Sequence, residues 1–174
     1  MSHHLTGKRV AVLADNFYED TELWVPYYRL IEEGAQVDIV AAKKGTFTSK
    51  YGYPVEATVE AKEAQAATYD AVVIPGGYAP DHMRRSPELV DFVRAMHDEG
   101  KVVAAICHAG WMLVSAGILQ GKTLTSFFAI KDDMVNAGAT WVDKEVVVDG
   151  TLVTSRMPSD LPAFCRELVK ALGG

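Results

Sequence analysis

The sequence has few cysteines and no long apolar run, and each shortage argues against a class of protein. Only two of the 174 residues are cysteine. Two cysteines without metal-ligand spacing indicate free thiols and a reducing cytoplasm. The longest apolar runs, such as Val102–Ile106 and Ala71–Pro75, are far too short to cross a bilayer. Residues 1–7 have no apolar segment typical of a secretory signal, so we expect a cytoplasmic protein with no membrane partner.

Positive charge is also scarce. The chain carries 17 lysines and arginines against 23 aspartates and glutamates, for a net charge of -6. A nucleic-acid surface needs clustered Lys and Arg, so we expect no specific nucleic-acid partner. The histidines outside residue 108 lack partners at ligand spacing, and we expect no metal. A 49% apolar composition and this length predict one soluble domain over residues 1–174.

Strand-like and helix-like segments alternate along the first part of the chain. Four short apolar, largely β-branched runs are typical of strands that are buried on both faces. They are Arg9–Ala14, Gln36–Ala41, Asp70–Ile74 and Val102–Ile106. Because helical patterns separate them, the strands are expected to form a mainly parallel sheet within an α/β sandwich.

The helices and one hairpin have their own signals. An apolar stripe from Leu23 to Ile31 predicts a helix in which Pro26 causes a bend or a late start. Ser86 and Pro87 predict the start of a second helix. Residues 145–154 read as a hairpin with Asp149-Gly150 at its turn, and a last helix runs from about 159 to 172.

Cys107 follows the fourth predicted strand and precedes a helical pattern. Ligands of open parallel sheets bind beyond the carboxyl ends of the strands, and this position resembles a nucleophile elbow. The start of a helix favours thiolate, which predicts a thiol pKa well below about 8.5. The alternative is a buried structural cysteine, and position alone leaves both open. Cys165 lies within an apolar helical stripe, which favours core packing.

His108 and the pair Gly76-Gly77 are further candidates. An elbow can bring the ring of His108 to the sulfur, although the residue can equally cap a helix. The N–H groups of Gly76 and Gly77, after the third strand, can hold a developing oxyanion, but a plain turn is the alternative. The pair lacks the G-x-G-x-x-G of a dinucleotide fold and the lysine of a phosphate loop, and we expect no cofactor.

Glu19 is the candidate acid. It precedes the first helix and is expected to point towards the strand ends. A protonated carboxyl there can donate a hydrogen bond to a thiolate. The alternative is that carboxylates at this helix start only complement the macrodipole, for which Asp20 or Glu22 is the better choice.

These residues together resemble the PfpI-type intracellular protease and deglycase family of the class I glutamine amidotransferase-like superfamily. The resemblance covers nearly the whole chain, and its most specific part is the combination of the early Glu, the Pro-Gly-Gly and the Cys-His elbow. Matching segments are "NFYEDTELWVPYYRLIEEG", "YDAVVIPGGYAPD", "AAICHAGWMLVSAGIL", "GKTLTS", "IKDDMVNAGATWVD", "EVVVDG" and "LVTSRMPSDLPAFCRELV".

The resemblance implies a flavodoxin-like three-layer sandwich in which Cys107 is the nucleophile and Glu19 is hydrogen-bonded to its sulfur. It implies an oxyanion hole from the N–H groups of Gly77 and His108. It also implies a homodimer or higher homo-oligomer in which Asp81 of a neighbouring subunit orients His108. Two positions depart from the family pattern: Asp81 replaces a longer acid of many relatives, and Cys107-His108 is followed by Ala-Gly where many relatives have Gly-Pro.

Peptidase, deglycase and glutathione-independent glyoxalase activities are all assigned to this family. A protease needs a peptide groove and a strongly oriented base, whereas attack on a small carbonyl needs only a thiolate, an acid and an oxyanion hole. We therefore predict a stress-protective cysteine hydrolase acting on reactive carbonyls or glycated adducts. The alternatives are an intracellular cysteine peptidase, a non-enzymatic cysteine redox sensor, and a scaffold without activity.

Overall fold

The computed structural model describes residues 4–173. Residues 1–3 and 174 of the predicted domain lie outside that range, and residues 1–3 also belong to the segment in which no secretory signal is expected. The strands of the chain are β1 Arg9–Leu13, β2 Gln36–Ala41, β3 Gly45–Thr48, β4 Pro54–Ala57, β5 Val59–Glu60, β6 Ala71–Ile74, β7 Val102–Ile106, β8 Thr123–Leu124, β9 Thr140–Trp141, β10 Val147–Asp149 and β11 Leu152–Ser155.

A seven-stranded sheet forms the middle layer, in the order β10-β11-β7-β6-β1-β2-β5. Strand β10 is antiparallel to β11, as the Asp149-Gly150 turn predicts, and the other neighbours are parallel. Every residue of β6 and β7 is buried. Their small and β-branched side chains suit a strand that has helices on both faces.

Helices cover both faces of the sheet. They are α1 Asp20–Glu32, α2 Ala79–Met83, α3 Pro87–Asp98, α4 Gly110–Ala116, α5 Lys131–Asn136 and α6 Leu161–Ala171. Helices α1 and α6 pack together on one face, and α2, α3 and α4 pack together on the other. The predicted three-layer, mainly parallel sandwich is confirmed. No helix within residues 4–173 combines the length and apolar character needed to span a bilayer.

Of the two alternatives predicted for α1, a bend at Pro26 or a late start, the late start is wrong. The helix begins at Asp20 rather than late, and Pro26 lies inside it. Pro26 is buried on the same face as Leu23 and Leu30, so its ring packs against the core in place of an aliphatic side chain. Burial of that face outweighs the hydrogen bond that proline removes.

The sheet brings three loops to one edge. Strands β1, β6 and β7 are neighbours and parallel, so the residues that follow each strand meet at their carboxyl ends. A bridge between Tyr18 and Gly77 joins the first two loops. The third loop begins at Cys107, directly after β7.

Candidate active site

Cys107 occupies a strained turn at the end of β7. Its φ is 64°, in the left-handed region that non-glycine residues rarely adopt. Residues Cys107–Ala109 form a single 3-10 turn that leads into α4. The Cys107 carbonyl accepts a hydrogen bond of 3.2 Å from the N–H of Phe127, which helps to hold the turn. The predicted sharp turn from strand to helix at Cys107 is confirmed, and such strain persists only where the surroundings impose it.

The carboxyl group at the sulfur belongs to Glu22 and not to Glu19, so the assignment to Glu19 is wrong. Glu22 lies in the first turn of α1 and is fully buried, and its carboxyl group lies close enough to Cys107 for each group to shift the pKa of the other. Glu19 is the residue before the helix, in an extended conformation, and its carboxylate pairs with Lys50 at 2.8 Å. The helix start at Asp20 explains the difference, since it turns Glu22 inward and leaves Glu19 beside the loop that follows β3.

The N–H groups of Gly76 and Gly77 face different groups of the site. The N–H of Gly76 donates to Oε2 of Glu22 at 2.8 Å. It is therefore engaged with the acid, and its predicted place in the oxyanion hole is wrong. A Cβ at Gly76 would stand 2.5 Å from Oε2 of Glu22 and 2.7 Å from Cβ of Cys107, so only glycine lets these groups approach. The N–H groups of Gly77 and His108 both face the sulfur of Cys107.

Burial is the main cause of the shifted pKa values of Glu22 and Cys107. It raises the pKa of Glu22 to about 8, against the hydrogen bond from the N–H of Gly76 that favours the ionised form. Glu22 therefore keeps its proton at neutral pH. Burial is the main cause that raises the pKa of Cys107 to about 12, and the negative charge of an ionised Glu22 is the second cause. The direction is opposite to the lowered pKa that the helix start predicts, because Cys107 lies deeper than its position in the sequence suggests.

His108 stands beside the thiol as a neutral imidazole. Its Nδ1 is 3.3 Å from Sγ of Cys107. Its ring stacks on Phe127 at 4.9 Å and meets the edge of Trp111 at 5.1 Å. Burial and the positive charge of Lys50 lower the pKa of His108. A resting thiol next to a neutral imidazole can lose its proton to Nδ1 as the sulfur attacks.

Among the described residues, Asp81 forms no hydrogen bond or ion pair with His108 of its own chain. It is in α2, its side chain is 47% exposed, and its carboxylate pairs with Arg85 four residues later. Asp81, Trp111 and Tyr78 line one open cavity of about 420 Å³ next to the site. The structure thus brings Cys107, His108 and Gly77 together and leaves Asp81 on the surface.

Glu22 and Lys50 are the site residues that the sequence analysis missed. Glu22 has a signal in the sequence, since it precedes Pro26 by four residues and Leu30 by eight and so falls on the buried stripe of α1. A charged residue on such a stripe is unusual and points to a function. Lys50 has no comparable signal. Within residues 4–173 no three His, Cys, Asp or Glu side chains are grouped to hold a metal.

A comparison with protein families identifies the family of this chain. The model of the DJ-1/PfpI family matches residues 8–171. The chain belongs to the DJ-1/PfpI family. The PfpI resemblance of the sequence is therefore confirmed, and it extends over all the elements that build the site.

Relatives of DJ-1/PfpI type match the chain along its length. Deglycase PfpI of Pyrococcus furiosus is 48% identical over 164 residues, which are 94% of this chain and 99% of the relative. General stress protein 18 of Bacillus subtilis is 41% identical over 170 residues, covering 95% and 98% respectively.

A solved structure confirms the flavodoxin-like fold. A two-domain protein of Anabaena variabilis, with DJ-1/ThiJ/PfpI-like and ferritin-like domains, superposes with a TM-score of 0.94 at 43% identity. The match covers 95% of this chain and 48% of that protein, so this chain spans about half of it.

Proposed function

We propose that this chain is a cysteine-dependent deglycase that removes 2-oxoaldehyde adducts, such as those of methylglyoxal, from amines and thiols. One observation carries the proposal: a strained Cys107 stands between a protonated acid, Glu22, and a neutral base, His108. A relative 48% identical over its whole length is a deglycase, which supports the same activity here. The small number of reacting groups suits a small carbonyl fragment.

The first step transfers that fragment to the enzyme. Sγ of Cys107 attacks the carbinol carbon of the adduct, and the bond from that carbon to the amine or thiol breaks. His108 Nδ1 takes the thiol proton and passes it to the leaving group. The products are the free amine or thiol and a hemithioacetal on Cys107.

The second step isomerises the hemithioacetal to a thioester. A proton leaves the carbinol carbon and returns to the neighbouring carbonyl carbon, so that the first carbon is oxidised and the second is reduced. Glu22 is protonated at neutral pH because its pKa is about 8, so it first gives its proton to the carbonyl oxygen, and the carboxylate so formed takes the proton from the carbinol carbon. Glu22 then returns that proton to the second carbon of the enediol and takes the proton of the first hydroxyl group, which leaves the thioester and a protonated Glu22. Water then hydrolyses the thioester and releases a 2-hydroxy acid. The N–H groups of Gly77 and His108 stabilise the oxyanion of that hydrolysis.

The activity is tested with the preformed adducts of methylglyoxal with N-acetylcysteine and with N-acetyllysine. Wild type and Cys165→Ser are expected to release lactate together with the free thiol or amine, while Cys107→Ser releases neither above the uncatalysed rate. A fluorogenic peptide in the same assay tests the peptidase alternative. Sulfinic acid at Cys107 after mild peroxide, without turnover of either adduct, would favour the redox sensor instead.

The proposed active unit is a homodimer or higher homo-oligomer in which Asp81 reaches His108 of a neighbouring subunit. The exposure of Asp81, and its place at the mouth of the cavity near Trp111, support this arrangement. In a two-fold dimer each interface would contain two such pairs.

Mixing two inactive variants tests Asp81. We expect Asp81→Ala to lower turnover at least about tenfold, because His108 loses its orienting carboxylate. In mixed dimers with Cys107→Ser, one site has both groups intact, and activity is expected to return in part. With subunit exchange shown by native mass spectrometry, no recovery would place Asp81 outside a shared site.

The domain organisation and the cellular role of the chain are two further parts of this proposal. We propose a single domain over residues 1–174, which the seven-stranded sheet in its middle layer supports. We also propose a stress-protective role in the cytoplasm. The likeness to a general stress protein supports the stress-protective role. Both cysteines are free, which suits a reducing compartment such as the cytoplasm.

A further inference from the structure

Lys50 brings a positive charge to the mouth of the site. It belongs to the loop between β3 and β4, and its backbone N–H donates to the carbonyl of Tyr18 at 3.0 Å. Tyr18 in turn bridges to Gly77, whose N–H faces the sulfur. The loop is therefore tied by its backbone to the loop after β1, which is joined to the Gly77 loop beside Cys107.

The ammonium group of Lys50 has one acidic partner and spare donors. Its Nζ lies 2.8 Å from Oε2 of Glu19, and its side chain is 31% exposed, against 13% for Glu19. An ammonium carries three N–H donors, so the bond to Glu19 leaves two for another acceptor. The rings of Tyr51 and Tyr78, both of which are exposed, lie 5.7 Å and 5.9 Å from Nζ.

The reacting groups of the site lie within the field of this cation. The bond to Glu19 is the main cause that raises the pKa of Lys50, and the charge of Cys107 adds to it. The charge of Lys50 also opposes the rise in the pKa of Glu22 and lowers that of His108. A negative charge next to the sulfur would feel the same attraction.

We propose that Lys50 forms an anion subsite beside Cys107 that binds the carboxylate of the 2-hydroxy acid product and of acidic substrates. This inference deepens the proposed deglycase function and rests on it. Hydrolysis of a thioester on Cys107 converts a neutral acyl group into a carboxylate at that position. Lys50 stabilises the charge that this step creates, and the competing Glu19 keeps the product from binding too tightly to leave.

Two alkylating reagents of nearly equal size measure the subsite without any turnover. The sulfur of Cys107 displaces iodide from iodoacetate, which is an anion, and from iodoacetamide, which is neutral. The ratio of the two rates reports attraction of the anion and cancels any change in the thiol itself. At pH 7 we expect Lys50→Met to lower this ratio about threefold to tenfold, as the Coulomb interaction of a partly solvated cation implies.

Three further variants sharpen the test. Lys101→Met removes the same charge at the opposite end of β7, roughly one strand length from Cys107, and should leave the ratio unchanged. Lys50→Arg should keep it, and Glu19→Gln should raise it by removing the competing carboxylate. An unchanged ratio in Lys50→Met, an equal fall in Lys101→Met, or a fall in Glu19→Gln would overturn the subsite. A preserved ratio pattern without lactate release would instead overturn only the deglycase function.

Discussion

Replacing Glu22 with glutamine is expected to lower kcat for the methylglyoxal adducts at least about 100-fold, the usual contribution of a general acid or base. Glutamine keeps the shape of the side chain, and its oxygen can still accept from the N–H of Gly76 as Oε2 does at 2.8 Å. It cannot carry a proton between the two carbons of the hemithioacetal. The variant therefore separates proton transfer from the positioning of Cys107.

Glu19→Gln is the matched control for this experiment. It makes the same change three residues earlier, in a carboxylate that pairs with Lys50 rather than with the sulfur. We expect the rate of the chemical step, measured in a single turnover, to change by no more than about threefold, because Glu19 acts through Lys50 on product binding and not on proton transfer. A large loss in Glu19→Gln with near-normal turnover in Glu22→Gln would restore the assignment that the sequence favours and refute ours.

The same Glu22→Gln variant is expected to change how stability depends on pH. The pKa of Glu22 rises from its ordinary value of 4.5 to about 8 in the folded chain. Between these values the folded state keeps a proton that the unfolded state releases, so the free energy of unfolding of wild type falls as the pH rises. The fall is about 1.4 kcal/mol per pH unit and reaches at most about 5 kcal/mol.

Urea denaturation from pH 4 to pH 9 measures this effect as the difference between wild type and Glu22→Gln. We expect the difference to be constant below pH 4.5, to move in favour of the glutamine variant up to about pH 8, and to level off above it. Both proteins are compared at one protein concentration so that any assembly affects them equally. Curves that stay parallel over the whole range would show that Glu22 is ionised in the folded protein.

The central strands were predictable because their burial leaves a clear pattern. Strands β2 and β7 have the predicted bounds, and β1 and β6 differ by one residue. The pairs β3–β4 and β8–β9 were missed. They are short, and β3 is largely exposed, so neither apolar runs nor strict alternation mark them in the sequence.

The candidate site was predicted in part for a related reason. Cys107, His108 and Gly77 follow strands directly, so the ends of the strands fix their positions. The choice between Glu19 and Glu22 depends on the residue at which α1 begins, and helix ends are poorly defined by sequence. Lys50 comes to the site through the β3–β4 loop, which could not be placed without the fold.

The most direct test of a deglycase centred on Cys107 compares two rates for the N-acetyllysine adduct. One is lactate formation by the enzyme, and the other is spontaneous release of methylglyoxal from the adduct, followed with a trapping reagent. We expect wild type to form lactate faster than the adduct releases methylglyoxal, and we expect Cys107→Ser not to do so. Lactate formation that never exceeds spontaneous release would show that the enzyme consumes only free methylglyoxal and would contradict direct attack on the adduct.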